Sequence, residues 1–172
     1  MKKTNDITQE KLADVFKAER AHLLRYACYR LGNEDDAKDV LQDTFLKLHT
    51  RIADTDDLQI NNLRSYLFRT LTNICAKWQT LTNRVKTIQL DKRMDVVETS
   101  DHENEVDYRR IVHLLTEIPD EQAEVIRLRI YGDNSFAEVA EILSLPLPTV
   151  KSRFLYGLEK LRKGMKKTIN ND

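Results

Sequence analysis

The sequence predicts an all-α protein of two small helical domains joined by a flexible acidic linker, and three observations carry that prediction. Glycine and proline are scarce, four and three in 172 residues, so helix breakers are few. Apolar residues recur at i, i+3, i+4 and i+7 through one segment after another, the period of helices with one face in a core. Between Asp95 and Asp107 the composition changes. Asp95, Glu98, Asp101, Glu103, Glu105 and Asp107 occur there without a lysine or arginine, and with few apolar residues to order the segment. The domains are expected over residues 1–92 and 108–172, with 93–107 as the linker.

Asp6 or Thr8 is placed to cap a first helix running to about Leu31, whose core face is Leu12, Val15, Phe16, Leu23, Leu24, Ala27 and Leu31. Gly32 stands where a helix C-cap is expected. Asn33 caps a second helix, with Glu34, Asp35 and Asp36 complementing the dipole in its first turn. Its core stripe is Ala37, Val40, Leu41, Thr44, Phe45, Leu48 and Ile52. Asp39, Gln42, Asp43 and Leu46 share a second face of the same helix. That face reads either as solvated acids with a stray leucine or as a docking surface for a basic partner helix.

A polar loop from Asp54 leads to Asn62, the cap of a third helix from Leu63 to about Leu81. Leu63, Leu67, Thr70, Leu71, Ile74, Trp78 and Leu81 are its core positions. Arg64, Arg69, Lys77, Arg84 and Lys86 make the region basic, with Tyr66, Phe68 and Trp78 interleaved. Aromatic rings among cations suit single-stranded nucleic acid, where rings stack on bases and cations hold the backbone. Rings at helical spacing also build cores, the reading favoured for Trp78.

Helix resumes near Val106, and the stretch Ile118–Met165 parses as three short helices with a tight turn before the last. Ser135 and Glu138 form a capping box that opens the middle one, whose apolar face is Phe136, Val139, Ala140 and Leu143. It stops at Leu143-Ser144-Leu145-Pro146, because Pro146 lacks a backbone donor and restricts its predecessor. The last helix buries Val150, Phe154, Gly157 and Leu161 and turns Lys151, Arg153, Lys160, Arg162 and Lys163 outward. This is the layout of a helix-turn-helix with its second helix in the major groove. Any antiparallel helix pair shares the pattern. The charge asymmetry favours DNA: seven lysines and arginines against Glu159 alone between Leu147 and Lys167.

Twenty-eight basic and 28 acidic side chains cancel to a net charge of zero, which suits segregated charge better than a nucleic-acid coat protein. No apolar run is long enough to span a bilayer and no signal segment follows Met1-Lys2-Lys3, so no membrane insertion and a cytoplasmic location are expected. Cys28 and Cys75 lie in apolar stripes, away from any metal-ligand spacing to His22, His49, His102 or His113. No nucleophile, base and oxyanion cluster is visible, so neither a metal, a cofactor nor an enzyme is expected.

Two separated motifs resemble the extracytoplasmic-function (ECF) group of bacterial sigma factors. Leu24-Arg25-Tyr26-Ala27, Leu31-Gly32 and the run from Asp36 to Leu48 are similar to that family's second region. Ile118-Pro119, Val125, Leu128-Arg129, Glu138–Leu143 and Thr149–Arg153 are similar to its fourth. The resemblance implies a specificity subunit that binds core RNA polymerase, directs it to promoter DNA and is held in check by an anti-sigma factor. It implies that Asp39, Gln42, Asp43 and Leu46 form the polymerase-docking face. Arg64, Tyr66, Arg69, Asn73 and Lys77 fall where the family recognises and melts the −10 element. Thr149, Lys151, Ser152, Arg153 and Tyr156 fall on the helix that reads the −35 element. This chain departs from the pattern in having Ser144 where a turn glycine is usual and Pro146 at the cap position. Leu155, Tyr156 and Leu158 replace frequent basic residues. The competing reading is a stand-alone helix-turn-helix regulator, which would have no need of the Asp39–Lys47 motif.

Overall fold

Thr8 closes the start of α1 (Gln9–Leu31): its hydroxyl accepts the Lys11 amide at 3.2 Å, an amide that no preceding turn can satisfy. The computed structural model describes residues 8–55, 58–86 and 102–170, and Asp6 lies outside them. Gly32 ends α1 at φ 73°, its amide donating to the Cys28 carbonyl at 2.8 Å. Glycine takes that left-handed conformation without strain. The Asn33 side chain accepts from the Asp36 amide at 3.0 Å and opens α2 (Glu34–Asp54), so the two helices join through the shortest of turns. Asn62 likewise accepts from Ser65 at 3.2 Å to start α3 (Leu63–Lys86).

The next helix, α4 (His102–Glu117), begins inside the stretch expected as linker, so residues 102–107 are helical. Glu105 pairs with Arg109 one turn on at 2.9 Å, an i,i+4 pair that helps hold this start. The remaining linker positions, 93–101, lie outside the described residues. The short α5 (Asp120–Ile126) runs without a break into a π-helical turn, Arg127–Tyr131. Both halves of the capping box at α6 (Phe136–Leu143) are made, Glu138 N–H to Ser135 Oγ at 3.1 Å and Ser135 N–H to Glu138 Oε2 at 3.2 Å. The helix ends at Leu143, three residues before Pro146, because Ser144 itself turns left-handed at φ 54°. The last helix, α7 (Leu147–Asn170), carries Pro148 in its first turn, where an amide has no helical partner to lose.

α1, α2 and α3 pack on one another, and α4 to α7 do the same, giving the two helical units that the sequence predicts. The units also share one core. Leu23 and Ala27 of α1, Val40 and Leu41 of α2, and Leu67, Phe68 and Leu71 of α3 are continuous with Val125, Leu128, Val139, Ile142 and Val150. Phe68 is fully buried there, so it is a core ring and cannot stack on bases. Trp78 packs on the same core. Leu81, expected inside, is 60% exposed. The reason is length: Gln79 already lies beside Arg30, donating to its carbonyl at 2.9 Å, so α3 has reached the end of α1 before Leu81. A second cluster of Leu115, Ile118, Ala123 and Ile126 ties α4 and α5 to α7. At that crossing a Cβ on Gly157 would sit 2.7 Å from Ile126 Cδ1 and 3.2 Å from Gln122 Cβ, so a larger residue would require the Ile126 side chain to shift. No described helix is long and apolar enough to cross a membrane.

Candidate functional site

Three groups of side chains carry the candidate chemistry, one on each of α2, α3 and α7. On α2 the helical period separates two faces. Val40, Leu41, Thr44 and Leu48 are buried, and Asp39, Gln42, Asp43 and Leu46 are exposed together on the opposite side. Leu46 is 53% exposed, an unusual placement for a leucine beside two carboxylates. On α7, Lys151, Ser152 and Tyr156 are exposed, while Thr149 and Arg153 are half-buried at the start of the same face. Arg153 reaches only a loose ion pair with Glu121, at 3.9 Å.

The α3 group is divided. Asn73 and Lys77 are exposed, and Tyr66 is half-buried with the Arg51 guanidinium 5.8 Å from its ring centre. Arg64 and Arg69 instead face the helix-turn-helix. Arg64 Nη1 donates to Asn134 Oδ1 and to Glu138 Oε2 (2.7 Å), and Nη2 donates to the Gly132 and Asp133 carbonyls at 3.2 and 3.0 Å. Its Nε lies 3.0 Å from Glu19 Oε2. Arg69 donates to the carbonyls of Ile142 (3.2 Å) and Glu141 (2.7 Å) and to Ser144 Oγ (2.6 Å). The close approach needs Gly132, whose added Cβ would stand 3.0 Å from the Phe68 ring and 2.8 Å from the Leu128 carbonyl.

A further polar cluster joins the units, and no spacing in the sequence points to it. Glu124 of α5 accepts from the buried Tyr26 hydroxyl through Oε1 and from Arg30 Nη1 through Oε2 at 2.6 Å, with Arg127 Nη1 at 3.6 Å. Burial, and then the Glu124 charge, push the Tyr26 phenol well above its ordinary range. Beside this cluster Tyr29 stacks on Tyr131 with ring centres 3.5 Å apart, and Tyr108 meets Tyr29 edge-on at 5.0 Å.

Glu19 gives the seam a pH dependence. Burial alone would raise its pKa, but hydrogen bonds to His22 and Arg64 outweigh that and hold it below its ordinary value of 4.5. A carboxylate lowered on folding contributes stability above its unfolded pKa and loses it as pH falls through the folded one. Thermal melts of wild type and Glu19→Gln are therefore expected to differ at pH 7 and to converge as the pH falls below 4.5 and through the lowered folded value.

The thiols offer no alternative chemistry. Burial pushes Cys75 up to about 12 and Cys28 to about 11, so both stay protonated at neutral pH, unsuited to metal ligation or attack. Among the described residues no three His, Cys, Asp or Glu side chains converge as a metal site requires.

Residues 15–83 match the family model described as Sigma-70 region 2, and residues 114–163 match that described as Sigma-70, region 4. Taken with the three-helix unit bearing the α2 acids and the helix-turn-helix behind it, these matches show that the chain belongs to the sigma-70 family. It is an RNA polymerase sigma factor of the extracytoplasmic-function type. The ECF RNA polymerase sigma factor SigW of Bacillus subtilis (strain 168) is 28% identical over 177 residues, covering 90% of this chain and 87% of that protein. Two solved structures share the fold. CnrH in complex with the cytosolic domain of CnrY superposes with a TM-score of 0.68 at 22% identity, over 93% of this chain and 90% of that one. RpoE in complex with the anti-sigma factor NepR, from Bartonella quintana, does so at 0.65 and 23%, over 92% and 96%.

Proposed function

We propose that this sigma factor works as a two-domain clamp on promoter DNA, with residues 1–92 as the polymerase-binding and −10 domain and 108–172 as the −35 domain. In this reading Asp39, Gln42, Asp43 and Leu46 dock on the clamp coiled coil of the polymerase's largest subunit. The observation that carries it is the second face of α2, where carboxylates and a half-exposed leucine share solvent with nothing in the fold to explain them. Arg64, Tyr66, Arg69, Asn73 and Lys77 hold the −10 element, where melting needs cations for the backbone and a surface for unstacked bases.

Lys151 and Arg153 meet guanine edges or phosphates of the −35 element in the major groove, and Thr149, Ser152 and Tyr156 complete that face. The chain acts in the cytoplasm, where its polymerase is, performs no catalysis itself and is held in reserve by an anti-sigma protein. That last partner is supported by the two structural neighbours, each of them bound to another protein.

The test is gel filtration of the purified chain with bacterial core polymerase, followed by transcription from a library of host promoters. Co-elution with core and selective initiation are expected. A chain that stays apart from core yet binds duplex DNA at modest salt would be a stand-alone regulator.

A further inference from the structure

We infer that the polymerase dock of α2 extends across a hollow to Arg20 of α1, so that the docking helix of the polymerase carries an apolar side chain that enters the hollow and a carboxylate beside it that meets Arg20. This extension rests on the proposed docking role of α2 and deepens it. The hollow measures about 270 Å³ and is lined by side chains of both α1 and α2. Asp39 and Gln42, half of the proposed dock, form one wall, Phe16 and Phe45 the floor, and the exposed Arg20 and Lys38 the rim.

The floor is aromatic. Phe16 and Phe45 meet with ring centres 4.8 Å apart, and each is only half-buried, so apolar surface stays in water next to a charged face. One such ring would be ordinary on a surface. Two at the bottom of a concave site let an incoming side chain of leucine size bury its own surface and theirs together.

The rim carries charge of the opposite sign to the dock. Of the three arginines of α1, Arg25 covers the Tyr131 ring at 5.6 Å and Arg30 holds Glu124 at 2.6 Å. Arg20 has no hydrogen-bond or ion-pair partner among the described residues, which leaves its planar fork of donors open to a carboxylate. Lys38 is tied only to Glu34, one turn earlier at 3.2 Å, and an exposed pair of that kind costs little to give up. A helix lying across α2 therefore meets Asp39 and Asp43 first, then Gln42, then Arg20 and Lys38. Its basic edge faces the acids, its acidic edge faces the rim, and an apolar residue falls between. A uniformly basic helix would set its cations against Arg20 and Lys38, so the rim discriminates against it.

The test titrates the full chain, labelled with a fluorophore at its N-terminus, with purified bacterial core polymerase. Arg20→Glu is expected to weaken binding about tenfold, the effect of one close interfacial charge pair. Lys17→Glu makes the same charge change at an exposed position of α1 outside the hollow, and should alter the affinity by less than about twofold. Both positions are exposed, so neither melt should move. A second measurement reads the occupant directly. Benzoylphenylalanine in place of Lys38, irradiated with core, should crosslink to a helix of the largest subunit at an apolar residue that has Asp or Glu within about one turn. Replacing that acid by Lys in core should restore the affinity of Arg20→Glu.

Equal affinities for Arg20→Glu and Lys17→Glu overturn the extension, and if Asp39→Arg with Asp43→Arg still abolishes binding, the dock on α2 stands alone. If instead the aspartate reversal is harmless while Arg20→Glu weakens binding, the hollow stands and the α2 acids fall as the dock. A crosslink to another subunit, or to a stretch without a carboxylate in reach, rejects this occupant. Binding that none of these variants alters rejects the hollow and the dock together.

Discussion

Glu124→Ala is expected to lower the stability of the chain by roughly 3–5 kcal/mol, the usual cost of removing one partner from a buried ion pair. Its carboxylate is the acceptor for Tyr26 and Arg30 and lies near Arg127, and its side chain is only 13% exposed. The two arginines respond differently to it. Burial works against both charges, but Arg30, 2.6 Å away, ends above its ordinary value, whereas Arg127, 3.6 Å away, more deeply buried and repelled by Arg30, ends below. Without Glu124 two guanidinium groups and a phenol would share a dry site with only the weaker influence of Asp120 as counter-charge. Differential scanning calorimetry should show one cooperative transition for the wild type, because one core runs through both units. In the variant that transition should fall by about 6–20 °C. A drop under about 2 °C would mean that the cluster is hydrated and does not join the units.

What the sequence made legible, and what it hid, divides along the reach of the interactions. Caps act over three or four residues, so Asn33, Asn62, the Ser135–Glu138 box and the Gly32 terminus could all be read before the fold was known. The faces of α2 were equally plain, since a 3.6-residue period sorts inside from outside within a single helix. The π-helical turn left no such trace, because Arg127–Tyr131, which packs against α1, has the composition of an ordinary helix.

The seam was invisible for a different reason. Arg64 and Glu138 are 74 residues apart, and Tyr26 and Glu124 are 98 apart, so nothing in local spacing brings them together. Arg64 and Arg69 stand out in the sequence as part of a basic region, but their acceptors within the chain could only be seen once the units were placed side by side. Across the seam, acids of one unit cover cations of the other, as Glu124 does Arg30 and Glu138 does Arg64. The linker acids from Asp95 to Asp101, which the composition suggested for flexibility, lie outside the described residues.

Reversing two charges on α2 is expected to have the largest functional effect. Asp39→Arg with Asp43→Arg should weaken binding to core polymerase by more than about 100-fold. The two carboxylates lie one turn apart on a single exposed face, so a basic partner helix would meet both at once. Close charge pairs at an interface couple by about 1.5 kcal/mol or more each, and two together give about 3 kcal/mol, or a factor above 100 in Kd. Repulsion from the new arginines adds to that loss. The fold should be untouched, because substitutions at exposed helix positions of this kind change stability by only about 0.5 kcal/mol. The same exposure keeps the effect apart from the seam, since Asp39 and Asp43 lie on α2 while Arg64 and Arg69 lie on α3. Fluorescence titration of labelled protein with purified core, with circular dichroism as the check on folding, separates the cases. Loss of binding with the melt unchanged identifies this face as the dock. Unchanged binding would move the dock elsewhere and return the α2 acids and Leu46 to an ordinary solvated surface. Loss of Leu46 alone, as Leu46→Ser, should cost less than the double reversal, because a half-exposed leucine has only part of its surface left to bury.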